Sequence, residues 1–104
     1  MKLDTQQHLI SLVGQEIQTL NGRPNTVLSV KGSEVVVATA KSPRGKPVPI
    51  ADVQAVMDML ISNTELAIDV GTVGYRSAFI GAVLATLPGA TVLPTSPPRI
   101  ALRG

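Results

Sequence analysis

The sequence predicts a single α+β domain, and three stretches carry that expectation. Val35-Val36-Val37, just after the turn Lys31-Gly32-Ser33, has the β-branched density of a strand covered on both faces. Between Ala51 and Ser62 the residues Val53, Val56, Met57, Leu60 and Ile61 recur at i, i+3, i+4, i+7 and i+8, the apolar face of a helix. The run Ala78 to Ala85 is apolar on nearly every face, which marks a helix at the centre of a core. A chain of 104 residues supports one such core and not two. Its 44% hydrophobic and 15% charged content lies on the folding side of the balance that separates compact chains from disordered ones.

In chain order, Asp4 or Thr5 caps a short helix with Leu9, Leu12 and Val13 as its stripe, ended near Gly14. Gln15 to Leu20 reads as a strand, and Asn21-Gly22-Arg23-Pro24 supplies turn chemistry. A β-hairpin follows, Thr26 to Val30 and Glu34 to Thr39. Ala40 to Pro49 contains Pro43, Gly45, Pro47 and Pro49 and is expected to be a loop. After the helix Ala51 to Ser62, with Asp52 in its first turn, come a strand over Leu66 to Val70, a connection over Gly71 to Gly74, and the apolar helix Arg76 to Leu87, stopped by Pro88-Gly89. Within that helix Gly81 invites close approach of another segment. Residues 90–104 form a Pro-rich extended tail with a closing strand near residues 99–103. The expected architecture is an N-terminal helix, a small antiparallel sheet built around the hairpin, and two further helices packed on it, with some winged-helix character.

Composition narrows the chemistry. With no Cys, disulfides, zinc knuckles and thiol nucleophiles are excluded. With one Tyr, one Phe and no Trp, a base-stacking surface for single strands is not expected. The longest apolar run, Ala78 to Leu87, falls far short of the roughly 20 residues of a bilayer span, so no membrane helix is expected. Met1 to His8 lacks the charged-then-apolar pattern of a secretory signal, so a cytoplasmic protein is expected. The seven acids are scattered, and His8 is the sole imidazole, most simply a boundary residue of its helix. No acid, base and nucleophile can be grouped, so no enzymatic activity, cofactor or metal is expected. Asp69 to Gly74 has the look of a glycine-rich phosphate loop but lacks the Gly-Lys-Ser/Thr ending, and a strand-to-helix turn accounts for it.

The net charge of +2 is small, but its distribution is uneven. Lys41-Ser42-Pro43-Arg44-Gly45-Lys46 places three cations and no acid in a loop. Arg23 and Asn25 flank Pro24 in another turn, and Tyr75, Arg76 and Ser77 stand at the start of the apolar helix, where free backbone N–H groups favour anions. Arg23, Lys41, Arg44, Lys46 and Arg76 suit phosphates, Asn25, Ser42, Tyr75 and Ser77 suit added hydrogen bonds, and Arg44 is the best placed to enter a groove. Around five phosphate contacts give a log–log salt slope of roughly −4 to −5. Each group also has a plainer role: a solvated loop, Asn21 and Asn25 as turn formers, and Arg76 paired with Asp69 or Asp52.

Gly22-Arg23-Pro24-Asn25, Pro47-Val48-Pro49-Ile50-Ala51-Asp52-Val53-Gln54 and Gly74 to Pro88 together resemble a small domain attached to bacterial restriction-type nucleases, especially HNH enzymes that cut modified DNA. The resemblance spans about residues 15 to 102 and implies a DNA-recognition module, with catalysis in a separate nuclease domain or subunit. His8 alone cannot supply an HNH site. The competing expectation is a protein-interaction or dimerisation module, with Val35 to Val37 on an exposed strand edge or Ile100 to Leu102 as its interface. A homo-oligomer fits either.

Overall fold

The computed structural model describes residues 4–74 and 76–103. Helix α1, Thr5–Ser11, starts at Asp4, whose carboxylate accepts the backbone N–H of Gln7 at 3.1 Å. Leu9 and Leu12 are buried, whereas Val13 falls in the turn beyond the helix and is exposed. Thr5 is also buried, and its hydroxyl donates to the sulfur of Met57 at 3.3 Å.

Strands β1 (Glu16–Gln18), β2 (Pro24–Lys31), β3 (Glu34–Ala38) and β4 (Lys46–Pro49) form an antiparallel meander in that spatial order. Ile17, Val27, Val35, Val37 and Val48 are buried, one from every second position along the strands. The register shifts between Val27 and Ser29, a bulge that leaves Leu28 outside the ladder and 41% exposed.

The loop expected over Ala40 to Pro49 is shorter than that. Its last four residues are β4, paired to β3 with Val37 opposite Lys46 and Val35 opposite Val48. Prolines are tolerated here because the strand lies at the sheet edge. Pro47 and Pro49 have no N–H, so the ladder donors of β4 are Lys46 and Val48, and the outer rim of this strand offers a further strand no donor.

Helix α2, Ile50–Asn63, buries Val53, Val56, Met57 and Leu60, as the periodicity predicts, and closes at Thr64 in the left-handed conformation. Beyond it lies a second antiparallel sheet of β5 (Glu65–Ala67), β7 (Arg99–Leu102) and β6 (Ala90–Leu93), with β7 in the middle. The closing strand is where the sequence places it. Strand β6, in contrast, comes from residues expected to be plain extended tail. Between β5 and β6 the expected strand over Leu66 to Val70 stops at Ala67, and the connection over Gly71 to Gly74 is largely a single helical turn, α3 (Val70–Val73). Local bonds hold that turn: Val73 N–H reaches Asp69 C=O at 2.8 Å and Gly74 N–H reaches Val70 C=O at 2.9 Å. Helix α4, Ser77–Ala85, is buried through every residue from Phe79 to Leu84. Gly81 lets it approach β5's extension closely, since a Cβ there would stand 2.7 Å from Ile68 Cγ2.

Helices α2 and α4 join the two sheets. The first packs on β4, β5 and β7, and the second on β1, β6 and β7, so one hydrophobic cluster runs through both. Two expectations of the dimerisation reading fail on this topology. Val35 to Val37 lie in β3, hydrogen-bonded on both sides, and Ile100 to Leu102 lie in the central strand β7. Their backbone donors and acceptors are already used within the chain.

Helix α1 is tied to the far end of α4 by His8, whose Nε2 lies 2.8 Å from Thr86 Oγ1. The Thr86 hydroxyl donates to Val83 C=O at 2.6 Å, so the imidazole donates from Nε2 and protonates at Nδ1. Partial burial pushes its pKa below the usual 6.5. The unfolded chain therefore binds the proton more readily than the folded one, and the contribution of neutral His8 is complete above pH 6.5 and is lost as pH falls through and below that value. Urea melts from about pH 7.5 down to about pH 5.5 are expected to show falling stability, with a flatter profile for His8→Gln. Parallel profiles for the two proteins would refute this.

Candidate nucleic-acid interface

In an up-and-down meander, alternate turns fall at the same end of the sheet. The β1–β2 turn, which carries Arg23, and the β3–β4 loop, which carries Lys41, Ser42 and Arg44, therefore share one end, with Lys46 at the adjoining start of β4. The turn is closed tightly. Thr19 N–H reaches Arg23 C=O at 2.9 Å, Gly22 N–H reaches Thr19 C=O at 2.8 Å, and Thr19 Oγ1, itself buried, accepts the Arg23 N–H at 3.0 Å. Arg23 is thus carried on a fixed backbone with its side chain in solvent.

The loop is equally constrained. Thr39 and Ser42 exchange backbone bonds of 3.1 Å in both directions, Thr39 Oγ1 accepts from the Ser42 N–H, and Gly45 N–H reaches Ser42 C=O at 3.0 Å. Ser42 is half-buried, whereas Lys41, Arg44 and Lys46 are exposed. Lys46 sits opposite Val37, so it shares the helix-covered side of the sheet and emerges at its rim. Arg23, Lys41, Arg44 and Lys46 make no ion pair among the described residues, and the turn 19–23 and loop 39–45 contain no acid. The nearest acid along the strands is Glu16, which starts β1 and faces Thr26. Four uncompensated cations at one sheet end produce a local positive field that the net charge of +2 conceals.

The remaining candidates are placed differently. Asn25 is only 5% exposed, opposite Ile17 on the helix-covered face of β2, so it is removed from the set of groups a ligand can reach. Its strand position dictates this: residues 25 and 27 point the same way, into the core. Arg76 turns to Asp52, in the first turn of α2, at 3.6 Å, with both side chains about half exposed. The pair with Asp52 is the plainer of the two roles the sequence allows Arg76, and it reduces the charge Arg76 presents. Tyr75 lies outside the described residues. Ser77, half-buried at the start of α4, lines a recess of about 110 Å³ with Thr19, Asn21 and Pro98. The recess joins the first turn of α4 to the β1–β2 turn, so two of the three segments singled out in the sequence meet there. Asn21 belongs to it although the sequence suggests only a turn former, because a short-range signal reports backbone geometry and not what the turn packs against.

Among the described residues no three His, Asp or Glu gather as metal ligands, and no helix is long and apolar enough to cross a membrane. Fold and site together define a small two-sheet α+β domain with a basic sheet end. Comparisons with protein-family models, with curated proteins and with solved structures find no match.

Proposed function

We propose that this chain binds double-stranded DNA through the end of its four-stranded sheet, as the recognition module of a restriction or defence nuclease whose catalytic part lies in another domain or subunit. The observation that supports the reading is the juxtaposition of Arg23 with Lys41, Arg44 and Lys46 by the meander, all exposed and without ion-pair partners among the described residues. Phosphate oxygens are the acceptors such groups suit, and a duplex presents them in two rows across a groove. The loop is the part that enters the groove, with Arg44 as the base-edge donor, while Arg23 and the lysines hold the backbone. Ser77 and the start of α4 adjoin this surface, whereas α4 itself serves the core.

Four phosphate contacts give a log–log salt slope of about −3.6. Duplex titrations by fluorescence anisotropy are expected to show that slope for the wild-type protein. Arg23→Glu/Arg44→Glu, with unchanged circular dichroism, is expected to lose about 100-fold or more in affinity at low salt, since each reversal removes one attraction and adds one repulsion. Absence of duplex affinity in the wild-type protein, or affinity untouched by the double reversal, sinks the proposal.

A further inference from the structure

We infer that Gly45 is a positioning residue for duplex binding, because it seats the basic loop against Leu28 and Val36 on the sheet and so fixes the direction in which Arg44 and Lys46 project. The inference rests on the duplex-binding reading above. A Cβ at Gly45 would stand 2.6 Å from Val36 Cγ1 and 2.9 Å from Leu28 Cδ1, too close for any side chain unless the loop or these two side chains give way. Its φ of +101° is a second requirement that favours glycine. Leu28 is available as a seat because of the bulge in β2, which takes it out of the ladder and leaves it 41% exposed even with the loop beside it. An otherwise unexplained exposed leucine thereby has a use.

The consequence is a loop already ordered before any ligand arrives. The reciprocal Thr39–Ser42 bonds and the Gly45–Ser42 bond hold its interior, and the Leu28–Val36 seat holds its back. Loops ordered in advance lose less conformational entropy on binding and present their side chains in one geometry. Displacing Gly45 leaves every charge in the chain unchanged but separates the loop cations from Arg23, so fewer phosphates are engaged at once.

The salt slope counts those phosphates and distinguishes this role from a merely structural one. Gly45→Ala and, independently, Leu28→Ser are expected to weaken duplex affinity about tenfold at low salt and to make the slope shallower by about 2, as contacts from the loop are lost. Gly32→Ala strains a positive-φ glycine at the opposite end of the sheet, where nothing lies within 4 Å, and is expected to leave both quantities as in the wild type. Leu28→Ser carries the test if Gly45→Ala fails to fold. Should Arg44→Glu weaken binding while Gly45→Ala and Leu28→Ser retain wild-type affinity and slope, the loop is a flexible tether and this inference alone fails. Should the wild-type protein not bind duplex DNA, both proposals fail together.

Discussion

A chain ending at Pro98 is expected not to fold. The segment removed contains β7, the middle strand of the second sheet, which registers against β5 at three positions and against β6 at four. Without it β5 and β6 have no partner, since they do not pair with each other. Ile100 leaves with it, fully buried, and burial of such a side chain contributes roughly 1.5–3 kcal/mol. The bonds from Leu102 N–H to Thr64 C=O and from Arg103 N–H to Gly89 C=O, which close the ends of α2 and the start of β6, are lost as well. Against a total stability of about 5–15 kcal/mol for a domain of ordinary size, these losses together leave no folded population. Far-UV circular dichroism and a urea melt check this: a cooperative transition near that of the full chain would contradict it, and would make the tail an accessory and not part of the core.

The second large effect is expected from Leu84→Ala. Leu84 is completely buried in α4, the helix that touches β1, β6, β7 and α2 and so joins both sheets. Truncating it removes apolar contact and leaves a cavity that surroundings held by two sheets cannot readily collapse, for a cost of about 3–5 kcal/mol. The urea midpoint is expected to fall with an unchanged m-value, the sign of a stability change without a change in the surface exposed. A loss below about 1 kcal/mol would mean that the surroundings relax into the space and that α4 is less central than its burial indicates.

Both predictions depend on residues whose weight was unevenly visible in the sequence. Leu84 stood in a run too apolar for anything but a core helix, and Val53, Val56, Met57 and Leu60 announced the face of α2 through spacing alone. Ile100 lies in a Pro-rich tail with a faint strand signal, and β6 carries a weaker one still. A short edge strand such as β6 is stabilised by its neighbour more than by its own propensities, so its pattern is weak. β4 was obscured for a related reason: prolines argue against a central strand, and only the sheet order shows that this strand is at the edge.

The candidate site follows the same division. The sequence by itself determined that the cations crowd into loops, that aromatics are too few for base stacking, and that the helix at residues 77–85 belongs to the interior, because composition, spacing and local turn chemistry are properties of neighbouring residues. Tertiary structure decided which of those loops meet. It brought the Arg23 turn and the Lys41–Lys46 segment to one sheet end, buried Asn25, turned Arg76 to Asp52 and set Gly45 against Leu28 and Val36. The physical reason is that these relations depend on strand order, on the parity of side chains across a pleated sheet and on a bulge in β2, and each of them joins residues far apart in the chain that come together only when the sheet forms.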